Sequence, residues 1–153
     1  MKAKTLVLAA AALFVATAAQ AHSHKFKKLE IVHPWCIETD AAASTVSVYM
    51  TVRNSGPKAD RLVGAQTSIA AKAELFGATV TSAQQAKPIT SLEAKASGEL
   101  ILKRDGPHIV LTGVKKQLGA YDAFPMTLVF ERAGKVEIEV QVEEASILEP
   151  SKH

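Results

Sequence analysis

The sequence has little of what disulfide-stabilised domains and nucleic-acid-binding proteins require. Only 5% of its 153 residues are aromatic, and Cys36 is its single cysteine. One cysteine cannot form an internal disulfide, so a hydrophobic core has to stabilise the fold. The few aromatic residues are not interleaved with a basic stripe, which argues against base stacking and phosphate binding. The composition therefore favours a small core-stabilised domain with no nucleic-acid partner.

Sequence motifs of catalysis are also missing. The chain has no G-x-S-x-G, no H-E-x-x-H, no glycine-rich phosphate loop and no cysteine-histidine pair in a recognisable local context. We therefore predict a protein that is not an enzyme.

The N-terminus has the three parts of a secretory signal. Two lysines are followed by a short apolar segment at 6–15 and by Ala-Gln-Ala at 19–21, a small-x-small cleavage pattern. The apolar segment is shorter than the roughly 20 residues of a membrane span. No cysteine near the cleavage site offers a position for a lipid. We predict that residues 1–21 are a signal peptide cleaved after Ala21, and that the mature protein is soluble, nearly neutral and periplasmic.

Alternation of apolar and polar residues predicts an all-β sandwich. The clearest strands are 45–53 and 135–143, where every second residue is apolar and one face is therefore buried. Weaker alternation between turn sequences brings the total to about eight strands. The weaker strands are predicted at 28–33, 61–67, 73–81, 99–103, 108–112 and 124–131.

Glycine, proline and asparagine mark the turns and loops between these strands. Segments 54–57 and 104–107 are strong turn sequences, and Ala133-Gly134 predicts a tight hairpin before the last strand. The polar, alanine-rich segment 82–96 is predicted to be a loop that crosses between the sheets. The predicted domain spans 22–145, and 146–153 is predicted to be a flexible tail.

Two histidines would stand at the start of the mature chain. Cleavage after Ala21 leaves His22-Ser23-His24 as the N-terminus. A free amine, two deprotonated backbone amides and the imidazole of a third-position histidine together form the square-planar nitrogen set that Cu(II) or Ni(II) prefers. The imidazole of His22 could compete for the metal in another arrangement. The alternative is a terminal segment whose histidines have no role.

Other candidate residues have simpler interpretations beside the functional ones. His108 follows a Gly-Pro turn at a strand end, where it is either a ligand or a partly exposed histidine. Trp35 is predicted to plug the end of the sandwich. Cys36 and Met50 are predicted to be packing residues of the core.

Several segments of the mature chain follow a known order and spacing. They are His33-Pro34-Trp35, 48–54 (VYMTVRN), 59–65 (ADRLVGA), 73–75 (AEL), 107–116 (PHIVLTGVKK) and 126–131 (MTLVFE). On these segments the chain resembles the periplasmic copper chaperones of the PCu(A)C type. The resemblance covers most of the mature chain and implies a cupredoxin-like or immunoglobulin-like Greek-key β-sandwich.

The resemblance also implies where a copper site would lie. Members of that family hold Cu(I) with a histidine after a Glu-Leu pair, a methionine about ten residues later, and a His-x-Met. In this sequence Phe76, Lys87 and Val110 stand at three of those positions, and His108 is the one family ligand that is kept. One imidazole with Phe, Lys and Val cannot form the soft site that Cu(I) favours.

Two hypotheses follow from the sequence. In the first, the protein is a copper chaperone whose binding has moved to His22 and His24, with His108 as a possible third ligand. It would carry Cu(II) rather than Cu(I), and deliver it to a membrane-bound oxidase or another periplasmic copper protein. In the second, the protein binds no metal and the sandwich is a binding module for another periplasmic protein.

Overall fold

Ten β-strands and one 3₁₀ turn make up the part of the chain that the computed structural model describes, residues 22–77 and 87–148. The predicted all-β, Greek-key sandwich is confirmed. The elements are β1 (Ser23–Phe26), β2 (Leu29–Ile37), β3 (Thr45–Asn54), β4 (Asp60–Gln66), β5 (Ala70–Phe76), β6 (Leu92–Ala94), β7 (Gly98–Leu102), β8 (His108–Val114), β9 (Ala123–Phe130), β10 (Gly134–Glu143) and the 3₁₀ turn Ala145–Leu148.

The strands follow the hydrogen-bonded order β5-β8-β3-β2-β10-β9-β4-β6, with β1 attached to β2 and β7 attached to β3. The pairing of β2 with β10 is parallel, and the other strand pairs of the described residues are antiparallel. Strands β7 and β8 follow one another along one edge of β3. Strands β1 and β10 likewise share one edge of β2. The long strands β2 and β3 therefore pair with each other along one edge and each with two further strands along the other edge.

The core is built from the inward-facing residues of the strands with alternating burial. Strand β10 buries every second side chain and exposes the residues between them, as its alternation predicts. Cys36 is fully buried and Met50 is 2% exposed, which confirms both as packing residues. The largest fully buried side chains are Phe124, Phe130, Ile31, Leu62, Ile109, Leu111, Leu118, Met126, Leu128, Val48, Val52 and Val140.

The number of strands corrects the sequence prediction of about eight. Strands β1 and β6 were not predicted, and β6 (Leu92–Ala94) lies within the segment 82–96 that was expected to be a loop. Both are too short for their alternation to be distinguished from a loop. They form because each lies beside a long strand that offers free backbone groups, β2 for β1 and β4 for β6.

Strand β2 also runs further than predicted, to Ile37 rather than His33. A bulge between Val32 and Trp35 interrupts its pairing with β3, and His33 there has a φ of 48°. The proline at position 34 hid this continuation because proline usually ends a strand pattern. Trp35 therefore lies within β2, where its side chain is half-buried.

Some predictions fall on residues outside the described ranges. These are the signal peptide 1–21, the end of the strand predicted at 73–81, the first part of the segment 82–96, and residues 149–153 of the predicted tail. Within the described residues, no helix is long and apolar enough to span a membrane.

Candidate functional site

Phe76 and His108 lie opposite each other at one end of the β5-β8 pair. The antiparallel register pairs them directly, and their rings stack with centroids 5.7 Å apart and an interplanar angle of 18°. Opposed residues of an antiparallel pair have their side chains on the same face. The Phe76 ring therefore occupies the place from which a side chain at position 76 could share a ligand with His108.

The orientation of His108 leaves one ring nitrogen available. Its Nδ1 lies 2.9 Å from the carbonyl oxygen of Gly106. A carbonyl only accepts hydrogen bonds, so Nδ1 donates, and in the neutral ring Nε2 is unprotonated. Val110 lies two residues further on the same face and is half-buried, while Lys87 is exposed. Of the side chains at positions 76, 87, 108 and 110, only the His108 imidazole is a suitable copper ligand. The set contains no sulfur and does not fit Cu(I).

The His108 ring belongs to a row of five rings that crosses four adjacent strands. Tyr49 of β3 lies 6.2 Å from His108, Trp35 of β2 lies 4.9 Å from Tyr49, and His33 stacks on Trp35 at 6.1 Å. The aromatic row, as we call these rings together with Phe76, fills the outer face of this end of the sheet. It begins at His33 and ends with the stacked pair of His108 and Phe76, so Trp35 and Tyr49 lie between the two histidines.

His33 is held at the far end of the row by the backbone and by Glu143. The left-handed backbone of His33 is uncommon for a residue other than glycine, and such backbone strain is concentrated at functional sites. Its side chain is 48% exposed, and its Nε2 lies 2.5 Å from Oε1 of Glu143 on β10. Sequence reasoning did not select His33 as a ligand. The His-Pro pair inside a strand pattern was the signal that could have indicated a bulge there.

The N-terminal histidines lie at the same end of β2 as His33. The backbone N–H of His33 donates to the carbonyl oxygen of His22 at 2.8 Å, and the His22 side chain is exposed. His24 is paired with Ile31 in the β1-β2 register. Its Nε2 accepts a hydrogen bond of 3.3 Å from the backbone N–H of Glu139 on β10.

The structure thus brings His22 and His24 to the β2-β10 edge, whereas His108 pairs with Phe76 across β5 and β8. Among the residues that the structure describes, no group of three or more His, Cys, Asp or Glu side chains is arranged to hold a metal ion. Any copper site at the N-terminus therefore needs the terminal amine, backbone amides or a rearranged side chain.

Cys36 is not a candidate ligand. Burial, and secondarily the negative charge of Glu143, raises the pKa of its thiol to about 12. The thiolate is the form that binds metals, and it is not formed at neutral pH in this position.

Comparisons with known proteins agree with the fold and indicate copper-related relatives. A family model described as "Putative lipoprotein LpqE-like" matches residues 29–142. No curated protein matches the chain in sequence.

Several solved structures are similar to the chain, including the following three. The apo PCuAC domain from PmoF1 and the copper-bound PCuAC domain from PmoF2 each have 27% identity and a TM-score of 0.71. The chain covers 99% and 98% of those domains with 80% of its own length. The Cu(I)-bound DR1885 from Deinococcus radiodurans has 25% identity and a TM-score of 0.62, with 83% of each chain covered.

Proposed function

We propose that this chain, which belongs to the LpqE-like family and is related to the PCuAC copper-binding domains, is a non-enzymatic copper carrier of the periplasm. The observation that supports this most directly is its similarity to a copper-bound PCuAC domain along 98% of that domain. Since the side chains at positions 76, 87 and 110 do not fit Cu(I), the metal has to be bound elsewhere on the same fold.

The proposed site is the mature N-terminus, His22-Ser23-His24. Four nitrogens would bind Cu(II) in a plane: the free amine of His22, the amides of Ser23 and His24, and the His24 imidazole. His108 is too remote in the strand order to take part, because it belongs to the β5-β8 pair while β1 lies on the opposite edge of β2.

Export is part of the proposal, because the site exists only after cleavage at Ala21. The lipoprotein description of the family supports export. In this chain the single cysteine lies fully buried in β2, so a lipid could not be attached to it without opening the core. We therefore propose a carrier that is released by signal cleavage and holds copper at the new N-terminus.

The proposed acceptor is a copper site of a membrane-bound oxidase or of another periplasmic copper protein. Ligand exchange would take place at the chain end, where His22 is exposed. A terminal site can meet an acceptor's ligands before it releases its own metal.

A Cu(II) titration of two matched proteins tests the site. The first begins at His22, verified by mass, and the second carries one additional residue before it. We expect one-to-one binding by the first and binding at least about tenfold weaker, or 1.4 kcal/mol, by the second, since the extension removes the free amine. His24→Asn should abolish tight binding and His108→Asn should leave it unchanged. Loss of binding in His108→Asn with retention in His24→Asn would contradict the proposed site.

A second candidate function is a metal-free protein-interaction module. The aromatic row favours it, because three of its rings, Trp35, Phe76 and His108, are only half-buried, and aromatic residues are enriched at contact surfaces. Phe76 is neither fully exposed nor part of the buried core, so its role as a contact residue needs a test. If neither protein binds Cu(II) or Cu(I), and Phe76→Ala lowers co-purification with a periplasmic partner, the module is the function.

A further inference from the structure

We propose that one end of the sandwich is a docking surface for the headgroups of anionic phospholipids. Four turns form it, and we call them together the basic end: β1-β2 (27–28), β3-β4 (55–59), β6-β7 (95–97) and β9-β10 (131–133). The inference rests on the proposed function only for export, which would bring the chain to a membrane, and it requires no copper. The basic end is also distinct from the aromatic row.

Hydrogen bonds between the turns make the basic end one connected surface. The β3-β4 turn lies in the middle. The N–H of Ser55 donates to the carbonyl of Lys28 in the β1-β2 turn at 2.9 Å, and the carbonyl of Gly56 accepts from the β6-β7 turn at 3.0 Å. The ammonium of Lys27 donates to the carbonyl of Ala133 in the β9-β10 turn at 3.1 Å. The turns are therefore held in place before a ligand binds, which lowers the entropy cost of binding.

The basic end carries lysines that no acidic side chain neutralises. Of the ion pairs among the described residues, the two at this end both use Arg53, so the lysines take part in none of them. Two glutamates, Glu93 and Glu131, line one cleft with two arginines, so their charges are balanced. The excess positive charge is therefore carried by exposed lysines on the turns or beside them: Lys25, Lys27, Lys28, Lys58 and Lys95.

A cavity of 360 Å³ opens between the turns, and cations surround it. Its lining residues include Lys27, Lys28, Lys58 and Arg132. Asp60 is the one carboxylate among its lining residues, and both of its oxygens already accept backbone N–H groups. A headgroup phosphate that enters this cavity would therefore meet positive charge and no carboxylate oxygen that lacks a hydrogen bond.

The type of cation favours a lipid surface over a single bound anion. Arginine holds one phosphate through two parallel hydrogen bonds, whereas lysine is a flexible, strongly hydrated point charge. Lysine clusters are attracted to an anionic lipid surface, and each lysine near it strengthens binding about fivefold. Sixteen basic and fifteen acidic residues follow position 21, so the attraction depends on the local excess of charge at the basic end.

The test is co-sedimentation of the metal-free protein, beginning at His22, with phospholipid vesicles. One set contains phosphatidylcholine with about one third phosphatidylglycerol, and the other contains phosphatidylcholine alone. We expect binding to the anionic vesicles alone. Raising the salt from about 0.1 to 1 M shortens the screening length from about 10 to 3 Å and should release the protein. Equal binding to both sets of vesicles would contradict an electrostatic surface.

A matched pair of double variants locates the surface. Lys27→Gln with Lys28→Gln removes two charges from the basic end and should weaken binding at least about tenfold. Lys115→Gln with Lys116→Gln removes two exposed charges beside the turn after β4, at the opposite end of that strand. Lys115 also donates to a turn carbonyl at 3.1 Å, as Lys27 does. This control should change binding by less than about twofold, because its charges lie beyond the screening length from the surface.

A charge-conserving variant separates charge from structure. Lys27→Arg with Lys28→Arg should bind anionic vesicles within about twofold of the parent, since each cation is worth about the same near the surface. The thermal midpoint of each variant checks that it remains folded. Equal weakening by the two glutamine double variants would show that net charge and not the basic end causes binding, and the inference would be wrong.

The remaining outcomes separate other ligands and the proposed function from this inference. If the protein does not bind the anionic vesicles, the inference is wrong. Binding of inorganic phosphate or of polyglutamate by that protein would then assign the basic end to a free anion or to an acidic polypeptide. Because the vesicle assays contain no copper, their failure leaves the N-terminal chelate standing, and failure of the Cu(II) titration leaves the docking surface standing.

Discussion

Cys36 has a thiol that the fold keeps protonated. Burial, then the charge of Glu143, raises its pKa from 9.0 to about 12. Since the thiolate is the nucleophile, we expect no reaction of the folded protein with a disulfide reagent at about pH 8, and complete reaction in denaturant. Reaction of the folded protein at the rate of a free thiol would contradict the burial of this side chain.

The same shift has a consequence for stability at alkaline pH. The folded pKa exceeds the unfolded one, so the contribution of Cys36 is complete below about pH 9 and is lost as pH rises from there toward 12. The unfolding free energy, measured with urea at about pH 8 and 10.5, should fall less in Cys36→Ala than in the parent. An equal fall in both proteins would show that other groups cause the pH dependence.

Asp60 stabilises the turn before β10 through the backbone. Its Oδ1 accepts the N–H groups of Arg61 at 2.8 Å and Arg132 at 2.9 Å, and its Oδ2 accepts that of Ala133 at 2.9 Å. It is 6% exposed. Asp60→Ala leaves these donors without their acceptor, and we expect a loss of about 2–4 kcal/mol in urea unfolding. The exposed Glu131→Ala is the control, with an expected change within about 0.5 kcal/mol.

At the scale of single residues, the sequence predicted packing roles better than ligand roles. Cys36 and Met50 could be predicted because burial follows from alternation along one strand. His33 could not be selected as a ligand candidate, because its position depends on a bulge in β2 and on a carboxylate 110 residues away in the chain. His24 was selected from its position after the cleavage bond, and that role stays a prediction.

Strand β1 and the Cu(II) chelate exclude each other. The N–H of His33 donates to the carbonyl of His22, so these two residues are a hydrogen-bonded pair of the antiparallel ladder. Hydrogen-bonded pairs recur at every second position, so His24 and Ile31 form one as well. The His24 amide therefore lies in the ladder. Because Nε2 of His24 accepts from Glu139, the neutral ring is protonated at Nδ1, the nitrogen nearer the backbone that closes the chelate ring. Cu(II) binding has to displace β1.

Hydrogen exchange can detect this displacement. With Cu(II), the His33 amide should lose protection, since its acceptor is the His22 carbonyl at 2.8 Å. The amide of Glu131, bonded to the Arg61 carbonyl at 2.8 Å, is the internal control and should not change. Protection of His33 with bound Cu(II) would show that the metal is held without the His24 amide.

The β5-β8 end allows the family site to be rebuilt. Phe76→His, Lys87→Met and Val110→Met together would restore a soft donor set around His108. Since positions 76 and 108 are paired directly, the two imidazoles would share one face. We expect the triple variant to bind one additional Cu(I), measured by chelator competition, and His108→Asn to remove it. An unchanged number of Cu(I) ions per protein would show that restoring these side chains is not sufficient for binding at this end of the sandwich.

At the scale of elements, a strand could be predicted where apolar and polar residues alternate over many positions. The strands with long alternation, β3 and β10, lie where the sequence indicates, because each buries one full face. Strands β1 and β6 have four and three residues, so their existence depends on a neighbouring strand and not on their own pattern. The pairing order of strands could not be predicted, since alternation does not specify a partner.

The whole molecule depends on its last strand. Strand β10 pairs with both β2 and β9, and it contributes four buried side chains to the core. A chain ending at 131 should therefore fail to fold, with a circular dichroism spectrum of a disordered chain. A chain ending at 144 keeps β10 and should retain the thermal midpoint of the parent within a few degrees. A folded protein lacking β10 would contradict this role.

The parallel ladder between β2 and β10 also sets an order of events for a chain that emerges N-terminus first. Strand β2 emerges early but cannot pair with β10 until the end of the domain has emerged, since His33 and Glu143 are 110 residues apart. Contacts of such long sequence separation form slowly and only after most of the chain is available. Glu143 can therefore orient His33 only once nearly the whole domain has emerged, so the bulge of β2 takes its final form late.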